Sequence, residues 1–206
     1  MTDAHDLTIV IQAGGQSSRM GQDKALMPFL GQPLIARQAA RLRPLGAPLL
    51  VISNRPEQYA FLQLPVIPDR YPGTGPLGGL LTALLAADTE LVAVVACDMP
   101  FLQARLIEAQ CRLLHQEAAD VVIPRSPDGL EPLHAVYRVD TCLPPVREAF
   151  AAGERKMIAW FPAAHVREMS VQEVAEWDAG FLSFMNVNKP EEFQQAEELA
   201  LRLEGG

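Results

Sequence analysis

Cysteine is scarce in this 206-residue chain: Cys97, Cys111 and Cys142 are odd in number, widely spaced, and form no CxxC pair. That pattern supports neither a disulfide framework nor a cysteine-ligated zinc site, and predicts three reduced thiols in mostly buried positions. Histidine is almost as sparse. His5, His115, His134 and His165 show no HxxxH or HExxH spacing, so nothing points to a zinc enzyme or a histidine-based triad. No serine sits in a G-x-S-x-G elbow, which weakens a hydrolase reading. No run approaches the roughly 20 apolar residues that a membrane helix needs. The first residues, MTDAHDLTIVIQ, carry acids rather than a basic n-region, so no leader is expected and the cytoplasm is the expected compartment. Positive charge is also in short supply. A net charge of −8 argues against a dedicated nucleic-acid binder, although a few cations focused in a cleft can still hold phosphate.

What is present is an ordinary globular balance, 49% hydrophobic and 20% charged, over a length that fits one domain with a sizeable core. There is no internal repeat, low-complexity segment or linker-like break. Strand-length apolar runs are expected at 7–11, 48–52, 91–97, 121–124, 133–137 and 181–185. Helical patterns are expected at 33–42, 77–87, 104–116, 141–152 and 190–203, the last opening with proline and two acids. The runs at 7–11 and 91–97 are continuously apolar, as in parallel strands covered on both faces. This alternation predicts a single Rossmann-like three-layer α/β/α domain with a mostly parallel sheet, spanning residues 1–206. In such sheets ligands bind beyond the carboxyl ends of the strands. That rule singles out the segments after Ile11, after Ile52 and after Cys97.

The first of these segments reads IQAGGQSSRMGQDKALM. Gly14 and Gly15 allow backbone N–H groups to approach an anion closely. Ser17 and Ser18 add hydroxyl donors; Arg19 and Lys24 add charge, which is the combination a triphosphate needs. Neither the Walker pattern nor G-x-G-x-x-G is matched, and two glycines alone would read as a surface turn. Asp98 leaves the end of the run LVAVVAC, where a carboxylate either holds Mg²⁺ against phosphates or caps the following turn. Asp69 precedes the glycine-rich GTGPLGG, which offers either close approach to a ligand or simple loop flexibility. Asn54-Arg55 could meet a base, ribose or phosphate, or form a plain turn.

These residues carry a family resemblance. QAGGQSSRMGQDKAL resembles the signature loop of the molybdenum cofactor guanylyltransferases, typically LAGG-x-S-x-RMG-x-DK, and departs from it at Gln12. The likeness continues through ISNR at 52–55, VIPD at 66–69, GPLGGLLTAL at 75–84 and CDMP at 97–100. It resumes in AGERKMIAWF at 152–161 and FMNVNKPEEF at 184–193. The resemblance implies a nucleotide-diphospho-sugar transferase-like fold and transfer of GMP from GTP to the terminal phosphate of molybdopterin, with release of pyrophosphate. By position it implies that Gln12, Ala13, Gly14, Gly15, Lys24, Asn54, Asp69 and Asp98 contact GTP, with Asp98 also holding Mg²⁺. Asn186 and Asn188, together with Arg155 and Lys156, are implied on the molybdopterin side. A nucleotide half over 7–100 and an acceptor half over 101–203 follow, and molybdoenzyme-maturation proteins become plausible partners.

The chemistry agrees with that implication. An attacking phosphate oxygen is already anionic, so the enzyme needs no covalent nucleophile; it needs alignment and charge neutralisation. Lys24, Arg19 and Asp98 are the catalytic candidates. Two other readings stand beside it: a cytidylyltransferase acting on molybdopterin or another phosphorylated small molecule, and a non-catalytic nucleotide-binding module. Asp23-Lys24 and the AGG triplet favour guanine, because cytidine-specific relatives tend to read AAG and lack this DK. The pairing of Lys24 with Asp98 speaks against the module, which has no use for a metal carboxylate.

Overall fold

The computed structural model describes residues 6–13 and 23–204. Ten strands run in chain order: β1 Leu7–Gln12, β2 Pro28–Phe29, β3 Gln32–Pro33, β4 Leu49–Ile52, β5 Val66–Ile67, β6 Leu91–Ala96, β7 Val121–Ser126, β8 Gly129–Leu130, β9 His134–Arg138 and β10 Val166–Met169. Six α-helices accompany them: α1 Leu34–Leu42, α2 Pro76–Ala86, α3 Ala104–Gln116, α4 Val139–Ala151, α5 Val171–Trp177 and α6 Pro190–Glu204. The main sheet has the order β10-β7-β9-β6-β1-β4-β5, with β8 paired to β7, while β2 and β3 form a separate hairpin. Along the main order pairing is parallel except around β9, which runs antiparallel to both β6 and β7; the appended β8 is also antiparallel to β7. The chain between β7 and β9 is too short for a crossover helix, so it turns back through the β7–β8 hairpin at Gly129 (φ 136°) and must return antiparallel.

The pleat sends alternate residues of the central strands into two cores. Ile9, Ile11, Ala93 and Val95 pack on the face covered by α1, α3 and α5. Val10, Val92 and Val94 pack on the other, with Leu77, Leu80, Leu81 and Leu84 of α2 and Val146 of α4. A third, smaller core joins α6 to the β2–β3 hairpin, where Phe29 meets both Phe193 and Phe101. The α/β/α layering, the strand at 7–11 and the five expected helices are therefore present, and all three cysteines are free thiols, two of them buried. No helix among the described residues is long and apolar enough to cross a membrane.

The expected strand at 181–185 is not a strand. Phe181 takes φ 53° and Leu182–Phe184 forms a 3₁₀ turn. The backbone donors that a ladder would have used go instead to the Asp178 carboxylate, which accepts from Leu182 N (3.2 Å) and Ser183 N (2.7 Å). The apolar pattern there reports burial of Phe184, not extension. Conversely, β10 was hidden because its partly exposed sequence VREM breaks the apolar run. α5 does carry a legible start signal: Ser170 and Glu173 form a reciprocal capping box.

Candidate active site

The carboxyl ends of β1, β4 and β6 lie side by side. Gln12 is in register with Ile52 and Ala96, Cys97 N donates to Gln12 O (3.2 Å), and Ala13 N donates to Ile52 O (3.0 Å). This edge gathers Gln12, Ala13, Ser53-Asn54 and Asp98, as expected from the sequence. Gly14, Gly15 and Arg19 lie outside the described residues, as do Ser17 and Ser18.

Lys24 opens the 3₁₀ turn Lys24–Leu26. Its ammonium donates to Asn188 Oδ1 at 2.5 Å and stands 3.8 Å from Asp98 Oδ2. Asp98 is held in place by its own backbone: its carbonyl accepts from Val187 N (2.9 Å), which staples the 186–188 segment onto the end of β6. Underneath, the buried Gln38 amide of α1 donates to Ala96 O (2.8 Å) and Met99 O (3.0 Å) and fixes the turn that presents Asp98. The Asp98 side chain is only about 21% exposed. Burial pushes its carboxyl above the usual range, with Lys24 opposing that effect. Its Oδ1 is buried and has no partner among the described residues. An orphaned carboxylate oxygen costs about 1–3 kcal/mol or more if nothing meets it, and a hard cation suits it.

Val187 is fully buried, while Asn186 and Asn188 on either side are exposed. Asn188 N donates to Glu192 Oε2 (2.6 Å), which ties it to the first turn of α6. Asn188, assigned from sequence to the acceptor side, thus touches the lysine of the nucleotide side. Asp69 accepts from Tyr71 N (3.0 Å) and the Thr82 hydroxyl (3.0 Å), so its Oδ1 shapes the 69–71 turn against α2. Asn54 is exposed at the end of β4. The Gln12 side chain lies on the first turns of α2, where a Cβ on Gly79 would stand 2.8 Å from Gln12 Oε1. A side chain at 79 would push the Gln12 amide aside, and Gln12 Nε2 is buried without a partner among the described residues.

Lys156 and Arg125 border a cavity of about 530 Å³ whose other walls include Pro76, Leu130, Leu133, Met157 and Ile158. Leu133 O accepts from Ala96 N (3.1 Å), which places this cavity beside the exit of β6. Arg155 does not line it; its guanidinium stacks on Phe150 (4.9 Å) and donates to Phe150 O and Glu154 O. The sequence reading missed Arg125 and the apolar walls, since they come from three separate stretches of chain: the start of α2, the 125–133 segment and residues 157–158. It also missed Gln38, whose one signal is a polar residue on the buried face of an amphipathic helix.

Residues 9–168 match the MobA-like NTP transferase domain family. The chain is 37% identical to a probable molybdenum cofactor guanylyltransferase of Carboxydothermus hydrogenoformans, over 92% of this chain and 94% of that protein. It is 32% identical to the molybdenum cofactor guanylyltransferase of Vibrio cholerae, over 92% and 91% of the two chains. The crystal structure of molybdopterin-guanine dinucleotide biosynthesis protein A from Archaeoglobus fulgidus superposes with a TM-score of 0.81 at 25% identity, covering 95% of this chain and 99% of that one. The chain belongs to the molybdenum cofactor guanylyltransferase family of MobA-like nucleotidyltransferases.

Proposed function

We propose that this protein transfers GMP from GTP to the terminal phosphate of molybdopterin, releasing pyrophosphate, as a cytoplasmic enzyme dependent on Mg²⁺. The observation that carries the reading is the Lys24 ammonium set between Asn188 and Asp98 where the ends of β1 and β6 meet. Residues 7–100 form the nucleotide half. There Lys24 and Arg19 neutralise triphosphate charge, while Gln12, Ala13, Gly14, Gly15, Asn54 and Asp69 take up the rest of GTP. Asp98 Oδ1, buried and without a partner among the described residues, fits Mg²⁺, which when bound would offset charge on the phosphates. Residues 101–203 form the acceptor half, where Asn186, Asn188, Lys156 and the cavity beside it receive molybdopterin, with Arg155 steadying the loop next to α2 through its carbonyl to Leu77 N (3.3 Å). The acceptor phosphate supplies its own anionic nucleophile, so the chain's task is to align two polyanions and hold their charge. Handing the product to molybdoenzyme-maturation proteins completes the reading.

The test supplies Mg²⁺, molybdopterin and each of GTP, CTP, ATP and UTP, and measures pyrophosphate release. Turnover with GTP well above the others is expected. Equal or faster turnover with CTP would sink the guanine assignment, and none with any nucleotide would leave a binding module.

A further inference from the structure

We infer that Tyr59 is a positioning residue for Lys24, acting through the carboxylate of Asp23. Asp23 is the N-cap of the turn that carries Lys24, and both of its carboxylate oxygens are committed. Oδ1 accepts from Ala25 N (3.1 Å), and Oδ2 accepts from the Tyr59 hydroxyl (2.6 Å). The turn is closed by Leu26 N to Asp23 O (3.0 Å) and Met27 N to Lys24 O (3.2 Å), so anchoring Asp23 anchors the Lys24 backbone.

Tyr59 is a rigid anchor. It belongs to the 3₁₀ stretch Pro56–Leu62 that follows β4, and its side chain is fully buried in the core shared with Ile9, Ile35 and Val51. Burial first, and then Asp23, hold the phenol far above its usual range, so it remains a proton donor at every working pH. One phenol oxygen therefore ties the exit of β4, which carries Ser53 and Asn54, to the turn that aims Lys24 at Asp98 and Asn188. It also removes Asp23 from the set of free ligands: of the two acids flanking Lys24 in space or sequence, only Asp98 keeps an oxygen without a partner among the described residues.

This inference rests on the reading of Lys24 as a triphosphate ligand, and the experiment separates the two. GTP binding to the whole chain with Mg²⁺ is titrated calorimetrically for the wild type, Tyr59→Phe, Lys24→Ala and the double variant. Tyr59→Phe keeps the ring in the core and removes only the hydroxyl. It should weaken GTP about tenfold in the wild-type background, the size of one charge-assisted hydrogen bond, and cause no further loss once Lys24 is alanine. Asp23→Asn should reproduce the loss, which keeps the test open if one variant folds poorly. An equal loss in both backgrounds would mean that the hydroxyl only supports the fold, and no loss in either would likewise overturn the inference. If Lys24→Ala alone bound GTP as the wild type does, the triphosphate reading would itself fall.

Discussion

Lys24 and Asn188, 164 residues apart in the chain, meet at 2.5 Å across the mouth formed by β1 and β6. The contact links the signature loop to the NVN segment, so the two most characteristic motifs of the family converge on one ammonium group. Because the lysine also faces Asp98 at 3.8 Å, its position reflects two acceptors of different strength.

Removing the neutral acceptor should let Lys24 drift toward Asp98. Asn188→Ala is expected to lower kcat/KM for pyrophosphate release about tenfold. The thermal midpoint should stay nearly unchanged, because the contact is partly exposed and contributes little to folding. Steady-state kinetics beside a melting curve would show whether the asparagine orients the lysine.

Asp98→Asn should behave oppositely to an ordinary buried ion-pair deletion. Burial already penalises the Asp98 charge, so removing it should leave folding intact or slightly firmer. Catalysis should fall by several kcal/mol, on the order of a thousandfold. Near-wild-type turnover would show that the cation is held elsewhere.

Gln12 is the position where this chain departs from the family's usual loop, and its Nε2 is buried without a partner among the described residues. If GTP supplies the missing acceptor, Gln12→Leu should weaken GTP several-fold while the free protein melts no lower than before. Unchanged affinity, read by calorimetric titration, would reassign the amide to packing against Gly79.

His134 gives the fold a pH dependence. The ring is fully buried, lies edge-on to Phe184 (5.3 Å), and neither nitrogen has a partner among the described residues. Burial pushes its pKa down to about 4. A depressed histidine stabilises the fold fully above its unfolded value near 6.5 and loses that contribution as pH falls toward 4. Asp98 and Glu131, both raised by burial, act in the opposite sense. The clean measurement is therefore the difference between wild type and His134→Gln in denaturant midpoint from pH 7 to 4. The wild type should lose up to about 3 kcal/mol relative to the variant.

By itself, the sequence determined the layered α/β architecture, because continuous apolar runs and 3.6-residue periodicities record which faces are buried, and burial drives these layers. It also placed Gln12, Asn54 and Asp98 at or beside strand ends, since an apolar run that stops at a polar residue marks where the sheet leaves the core; Lys24, twelve residues beyond Gln12 in a 3₁₀ turn, follows from no such run. Direction and pairing were not legible. The reversal of β9, the 3₁₀ turn at Leu182–Phe184 and the Lys24–Asn188 contact depend on where other segments supply hydrogen-bond partners: Gly129 for the turn, Asp178 for the backbone donors, Glu192 for the asparagine. Tyr59 shows the same division. An aromatic residue after β4 predicts burial, but only the tertiary structure brings its hydroxyl to Asp23, because hydrogen bonds are directional and short while hydrophobic patterning is neither.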